Sequence, residues 1–194
     1  MHIILASQSP RRKEILGYFN LVFSVHSSGF DESLIPYEGS PERFVMSLAQ
    51  AKALALKEKF PEDLIISADT TVYLEGKIYE KPLSMEQAFT FIENLQGKTH
   101  QVFTGICVTQ ADRTFTNVCR TDVTLHSITP PQILNYINEI SPLDKAGGYA
   151  IQGPGSILVS KIDGCYYNVM GLPITLLNQL LYHFEIDLWN FGKL

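Results

Sequence analysis

Residues 5–16, LASQSPRRKEIL, change abruptly from apolar to cationic. The apolar run Ile3–Ala6 predicts a short buried strand that ends where Ser7 begins. Pro10 lacks a backbone N–H and has a fixed φ, which suits the first position of a helix, and Ser9 before it is a natural N-cap. The stretch therefore predicts a strand, a polar turn and a helix in succession, as is typical of α/β proteins.

The first turn of this predicted helix carries an unusual charge. Arg11, Arg12 and Lys13 place three cations where the helix dipole is already positive and acidic side chains are normally preferred. A phosphate group would be satisfied there by the free backbone amides, the serines and the guanidinium groups together. The alternative is a solvated basic turn that costs about a few tenths of a kcal/mol. The stretch by itself leaves both interpretations open.

The composition describes an ordinary globular protein. With 194 residues, 45% hydrophobic and 18% charged, the chain can bury one core or a core divided into two lobes, and we expect a single domain over residues 1–194. The net charge of -5 argues against general binding to nucleic acid or a membrane surface. Without a signal-peptide core or a membrane-spanning apolar run, a cytoplasmic location is expected. Neither the three cysteines nor the five histidines have metal-ligand spacing, so we expect reduced thiols and no structural zinc.

Predicted helices and strands alternate along the rest of the chain. Helices are predicted from residue 41 along an apolar stripe, over 84–95, after the cap Thr129 to residue 140, and over 173–184. Strands are predicted over 21–25, 64–68, 99–109, 114–127 and 156–162, with a hairpin over 72–78. This order predicts an α/β protein with a mixed central sheet and flanking helices rather than a doubly wound parallel sheet.

Three polar segments, 7–13, 69–71 and 144–153, adjoin the ends of predicted strands. Ligands of open α/β sheets bind beyond such ends, so we expect these segments to converge on one cleft. Asp69 is the strongest acidic candidate because a buried strand before it would hold its carboxylate rigidly, as a general base or a metal ligand requires. An Asx turn is its structural alternative.

Three further charged residues are weak candidates when judged from spacing alone. Glu32 and Lys81 lie in polar loops, where charges are usually just solvated. Lys52 lies near the edge of a helical apolar stripe, from which a lysine usually reaches solvent. The chain contains neither a P-loop nor a dinucleotide-binding glycine fingerprint, which disfavours P-loop kinases and Rossmann dehydrogenases.

Six motifs together resemble the Maf family of nucleoside triphosphate pyrophosphatases, and the resemblance covers nearly the whole chain. They are LASQSPRRKEIL, ADTTV, EKP, THQVxT, DKAGGYAIQG and DGCYYNVMGLP. The resemblance implies a mixed α/β fold with two lobes around a cleft, similar to inosine triphosphate pyrophosphatases. It also implies a nucleoside triphosphate substrate, a divalent metal, Mg²⁺ or Mn²⁺, and a homodimer.

The resemblance further implies roles for the charged residues. Ser7, Arg11 and Arg12 match its phosphate-binding element. Asp69 matches the catalytic base, and Glu32 would share a metal ion with it. Whether Asp69 acts as base or metal ligand stays open at this point.

The remaining matched positions complete the substrate site. Lys52 and Lys81 match charged residues around the phosphates, while Lys145 and Gln152 match the glycine-rich loop that faces the base. Three positions depart from the usual pattern and should affect backbone freedom more than chemistry. Relatives often have glycine at Ser67, and more often have alanine and glycine where this chain has Gly148 and Ala150.

A branch of the family is also indicated. Arg11, Thr70 and Gln152 resemble the branch acting on dTTP and UTP, whereas the branch acting on 7-methyl-GTP tends to carry tryptophan, glutamine and glutamate there. An amide such as Gln152 can donate and accept at once, which suits the O4 and N3–H edge of a pyrimidine. The expected reaction is attack by water on the α-phosphorus with loss of pyrophosphate, which would remove non-standard or excess nucleotides. The alternatives are a 7-methyl-GTP pyrophosphatase and a non-catalytic nucleotide-binding regulator of cell division.

Overall fold

The structure is a computed structural model that describes residues 2–192. Seven strands form one mixed sheet in the order β2-β1-β3-β5-β6-β7, with β4 paired to β3. Strand β1 is parallel to both of its neighbours, whereas β3–β4 and β6–β7 are antiparallel, which confirms the predicted mixed sheet. The strands are β1 Ile3–Ala6, β2 Phe23–His26, β3 Leu64–Leu74, β4 Lys77–Tyr79, β5 Thr99–Gln110, β6 Arg113–Leu125 and β7 Val159–Asp163.

The predicted helices are present, and their caps explain where they begin. The Ser40 and Ser84 side chains accept backbone N–H groups at the starts of α2 and α3, and Thr129 forms a capping box with Gln132 at α4. The helices are α1 Pro10–Leu16, α2 Pro41–Lys57, α3 Met85–Leu95, α4 Pro130–Ile140, α5 Tyr166–Val169 and α6 Ile174–Leu181. Within residues 2–192, none is long and apolar enough to cross a membrane.

Strand β3 corrects the sequence prediction most clearly. The sequence predicts that this strand ends at Ala68, but it continues to Leu74, so Asp69 and both following threonines lie inside it. Residues 72–74 pair with β4, and the β-branched character of the threonines before them favours the extended backbone. Likewise, the segment 144–153 does not adjoin a strand, because residues 153–158 form a 3₁₀ turn before β7. The prediction that all three polar segments lie at strand ends is therefore right only for 7–13.

The chain divides into two compact units, each with its own core. Unit 1 comprises the residues up to Asp69, Thr104–Cys119 and those from Met170 onward, and α2 packs its alanines against Ile4 and Ile65 there. Unit 2 comprises Thr70–Phe103 and Arg120–Val169, and its larger core includes apolar residues of β3, α3 and α4. Cys107 is a buried thiol of unit 1 that forms no disulfide, in agreement with the prediction of reduced cysteines.

Gly105 allows α2 to lie directly against β5 within unit 1. A Cβ atom at this position would be 2.5 Å from the Val45 carbonyl oxygen and 2.8 Å from the Met46 nitrogen. Both are backbone atoms, which cannot move aside as a flexible side chain can. The helix that carries Lys52 is therefore held at a distance that only glycine permits.

We predict that Gly105→Ala lowers the free energy of unfolding by about 1–3 kcal/mol, since overpacking forces the backbone to shift. Urea denaturation of purified variants measures this. Gly39→Ala is the control: it adds the same methyl where no atom lies within 4 Å, so its cost is limited to its positive φ of 86°. A Gly105→Ala variant as stable as the wild type would contradict the close contact.

Candidate active site

Lys52 joins two carboxylates of unit 1. Its Nζ lies 2.5 Å from Asp69 Oδ1 and 2.8 Å from Glu32 Oε1. The Lys52 and Asp69 side chains are only 11% and 12% exposed, whereas that of Glu32 is 52% exposed. The expectation that Lys52 reaches solvent is thus wrong, because a buried acid partner outweighs the preference of a lone lysine for water.

Asp69 is buried inside β3, which rules out the alternative of an Asx turn. Burial raises the pKa of its carboxyl above the ordinary value, and the nearby Lys52 and Arg12 oppose that rise. Glu32, at the start of a 3₁₀ turn, raises the same pKa further by like charge. A carboxylate in this environment has the balance of burial and charge partners that is typical of catalytic acids and bases.

Arg12 connects α1 to the strand that carries Asp69. Its Nε donates to the Gly171 carbonyl oxygen at 2.8 Å, and its Nη1 donates to the Ala68 carbonyl oxygen at 2.8 Å and to Ser7 Oγ at 3.3 Å. Burial lowers the pKa of the guanidinium, which nevertheless stays charged, as arginine does in proteins. Arg12 therefore has a structural role and also places positive charge beside Asp69.

The polar turn before α1 differs from expectation in one detail. Ser9 occupies the N-cap position, but its side chain makes no capping hydrogen bond. The buried Ser7 instead accepts the Ser9 N–H at 3.2 Å. Of the three cations, Lys13 is exposed, Arg11 is partly buried and Arg12 is bound to carbonyls, so the interpretation as a simply solvated basic turn is wrong for Arg12.

The other four sequence candidates belong to unit 2. Thr70 follows Asp69 within β3 and is partly buried. Lys81 is exposed after β4, and Gln152 is partly buried just before a 3₁₀ turn. Lys145 Nζ lies 2.5 Å from Asp144 Oδ1 and 2.9 Å from the Ser141 carbonyl oxygen, so its charge is already balanced locally. Convergence of these residues with the Asp69 cluster stays a prediction.

Two carboxylates of this cluster have the chemistry of ligands for the expected divalent cation. Within residues 2–192, no three histidine, cysteine, aspartate or glutamate side chains form a metal-binding group. Glu32 and Asp69 both point oxygens at one ammonium, which shows that the two can share a cation. Mg²⁺ is often held by one or two carboxylates and completed by substrate phosphates and water. This pair of oxygens is compatible with that chemistry.

Sequence reasoning missed two residues near these sites. Gly171 supplies the carbonyl that holds Arg12, and its only sequence signal is its place in the motif MGLP. Ser67, one of the departures from the family pattern, donates to the Ala49 carbonyl oxygen at 2.5 Å. Its hydroxyl thus ties β3 to α2, three residues from Lys52, so this exchange does more than change backbone freedom.

The fold and this cluster define a class: an α/β protein in which a buried carboxylate, a second acid and two cations form a site suited to phosphate chemistry. The sequence model described as Maf-like protein matches residues 2–184, and the chain belongs to the Maf family.

A dTTP/UTP pyrophosphatase of Clostridium perfringens (strain SM101 / Type A) is 44% identical over 191 residues, 97% of this chain and 100% of that protein. The dTTP/UTP pyrophosphatase of Clostridium beijerinckii is 46% identical over 184 residues, 93% and 98% of the two chains. Among solved structures, that of the Staphylococcus aureus Ham1 protein has 16% identity and a TM-score of 0.46, over 64% of this chain and 72% of that one.

We predict that Arg12→Lys lowers the free energy of unfolding by about 2 kcal/mol although it keeps the positive charge. The planar guanidinium of Arg12 donates to the Gly171 and Ala68 carbonyl oxygens at once, and a single ammonium group cannot reproduce both hydrogen bonds. Urea denaturation measures the change. Lys13→Ala, on the exposed side of α1, is the control and should change stability by less than about 0.5 kcal/mol. Equal stability of Arg12→Lys and the wild type would show that the two carbonyl contacts contribute little.

Proposed function

We propose that this chain hydrolyses dTTP and UTP to the nucleoside monophosphate and pyrophosphate. Two relatives that it matches over nearly their full length carry the name dTTP/UTP pyrophosphatase. The structural observation that carries the proposal is the burial of Asp69 between Lys52 and Arg12, with Glu32 on the same ammonium. A triphosphate needs neutralisation of its charge and an oriented water, and this group of residues can supply both.

In the proposed mechanism, one residue of unit 1 activates the attacking water and others neutralise the charge of the phosphates. Asp69, ionised, accepts a proton from the water that attacks the α-phosphorus, and pyrophosphate leaves. Lys52 and the arginines Arg11 and Arg12 offset the negative charge of the phosphates, with Ser7 as a further hydrogen-bond donor. Burial of Asp69 favours its role as base because a raised pKa makes the carboxylate a stronger proton acceptor.

The bound metal, Mg²⁺ or Mn²⁺, would be held by Glu32 and Asp69. When bound, it would supply Lewis-acid polarisation of a phosphate and stabilise the developing charge. Lys52 contacts both carboxylates, so the two acids lie close enough together to share a cation.

Base recognition is assigned to the glycine-rich segment of unit 2. Gln152 would pair with the O4 and N3–H edge of uracil or thymine, since its amide both donates and accepts. Thr70 and Lys145 would complete the nucleoside contacts, and Lys81 would contribute to the phosphates. The resemblance supports the further proposal of a homodimer, which we place in the cytoplasm. Chain length and the net charge of -5 support one domain over residues 1–194 without a stable nucleic-acid partner.

The proposed function is tested with a panel of nucleoside triphosphates, Mg²⁺ and detection of released pyrophosphate. We expect dTTP and UTP to be hydrolysed with higher kcat/KM than the purine nucleotides and 7-methyl-GTP. Preference for 7-methyl-GTP would assign the chain to the other branch of the family. Nucleotide binding without pyrophosphate release would favour the regulatory alternative.

We predict that Asp69→Asn keeps the fold and much of the nucleotide binding but loses about two to four orders of magnitude in kcat, the usual contribution of a general base. Steady-state kinetics and circular dichroism measure both. In the wild type, kcat/KM should rise with pH through a group that titrates above 3.8, because burial raises the pKa of Asp69 and only the ionised form is active. A folded Asp69→Asn variant with normal turnover would remove this residue from the mechanism.

We predict that Gln152→Glu lowers kcat/KM for dTTP and UTP roughly tenfold or more, because a carboxylate has no donor for the O4 acceptor and each lost bond is worth about 1–3 kcal/mol. Inorganic tripolyphosphate, which has no base, is the control ligand, and its inhibition constant should change much less. Equal losses for the nucleotides and tripolyphosphate would mean that Gln152 does not read the base.

A further inference from the structure

The tyrosine hydroxyl of α4 holds together the two ends of a short loop in unit 2. Tyr136 Oη accepts the Ala150 N–H at 3.1 Å and donates to the Gly155 carbonyl oxygen at 3.0 Å, with the Ala150 carbonyl oxygen at 3.4 Å as a longer acceptor. The six-residue loop 150–155 between these contacts carries Gln152. One hydroxyl therefore closes the loop at both ends.

The ring of Tyr136 is fixed, so its hydroxyl is a rigid anchor. Tyr136 is 8% exposed and belongs to the same buried core as Ile133 and Ile137, its neighbours on α4. Burial raises the pKa of Tyr136 to about 12, so the hydroxyl keeps its proton throughout the neutral range. It can therefore donate and accept at once, as the loop geometry requires.

Close packing brings the ends of the loop together as well. A Cβ atom on Gly155 would lie 2.5 Å from the Ala150 Cβ and 3.0 Å from the Ala150 carbonyl oxygen. The residue before the loop is also anchored, because the Tyr149 hydroxyl lies 2.8 Å from Nε2 of the buried His100. The backbone on both sides of Gln152 is thus constrained by buried contacts, while Gly153 and Pro154 at the tip are exposed.

We propose that Tyr136 is a positioning residue for substrate selectivity: by closing the loop 150–155, its hydroxyl holds Gln152 in the orientation in which it reads the base. This inference rests on the proposed function, in which Gln152 contacts the pyrimidine. Tyr136 acts through Gln152 and touches neither the base nor the phosphates. A loop that must be ordered at the moment of binding loses affinity, whereas a preformed loop does not.

The test begins with Tyr136→Phe, which removes only the hydroxyl. We expect the KM for dTTP and UTP to rise about tenfold with a smaller change in kcat, because the cost is one of ordering the loop on binding. The inhibition constant of inorganic tripolyphosphate should stay unchanged. Tyr79→Phe is the matched control: it deletes a hydroxyl from another buried tyrosine of the same core, whose ring packs edge-to-face on Phe91.

Gly155→Ala is a second variant that opens the loop by a different route. It leaves the Tyr136 hydroxyl in place and pushes the loop ends apart, so it should reproduce the selective rise in KM for the nucleotides. It also keeps the proposal testable if Tyr136→Phe does not fold. An unchanged KM in folded Gly155→Ala would overturn the role of loop closure.

A double-mutant cycle separates positioning from a general structural effect. If Tyr136 acts through Gln152, then Tyr136→Phe should raise KM little in a Gln152→Ala background, and the two effects should not add. Additive effects, or a rise in the tripolyphosphate inhibition constant equal to that in KM, would overturn the proposal.

Hydrogen exchange of the backbone amides gives a readout that needs no activity. Tyr136→Phe should increase exchange over residues 150–156 compared with the wild type and Tyr79→Phe. If the wild type releases no pyrophosphate from pyrimidine nucleotides, the proposed function fails and the selectivity role fails with it, while the exchange result still decides whether Tyr136 closes the loop. Unchanged exchange in Tyr136→Phe would overturn the closure itself.

Discussion

A carboxylate buried inside a sheet strand must be neutralised, and much of unit 1 is arranged around that requirement. Asp69 is buried, and taking a charge of this kind out of water costs several kcal/mol. Lys52 comes from α2, which can lie close enough to the sheet because Gly105 has no side chain. Arg12 comes from α1 and is held by the carbonyl of Ala68, the residue just before Asp69. The positions of α1 and α2 thus place one cation each beside the buried carboxylate of Asp69.

The sequence predicts the elements that local signals govern. Prolines after Ser40 and Thr129, and the capping serine Ser84, indicate where helices begin, and the structure confirms these starts. The extent of β3 was not predictable in this way, because Asp69 and the threonines after it look like a polar loop. Pairing of the following residues 72–74 with β4, and the contact of Asp69 with Lys52 of α2, favour an extended, buried backbone there. Local patterns contain no information about those tertiary contacts.

The candidate residues show the same limit. Spacing alone identified Asp69 and the cationic start of α1, since both stand out against their neighbours in the chain. Spacing does not distinguish Glu32 and Lys52 from ordinary solvated charges, although Lys52 Nζ lies 2.8 Å from Glu32 Oε1 in the structure. They are 20 positions apart in sequence, and no periodicity relates a loop acid to a helical lysine. Resemblance to the Maf family indicated each residue as part of the site, Glu32 for a metal and Lys52 for the phosphates, but it did not predict that the two form an ion pair.

The two kinds of recognition proposed here rely on different physics, which predicts how substitutions in each should behave. Phosphate recognition would use buried ions whose partners are side chains and carbonyls, so removing one ion leaves others uncompensated and affects stability as well as rate. Base recognition would use an amide on a short loop that is closed by the hydroxyl of Tyr136 and by the narrow space at Gly155. Loss of that closure leaves no buried charge unpaired. Changes at the loop should therefore alter substrate preference at modest cost in stability, whereas changes around Asp69 should rarely leave stability untouched.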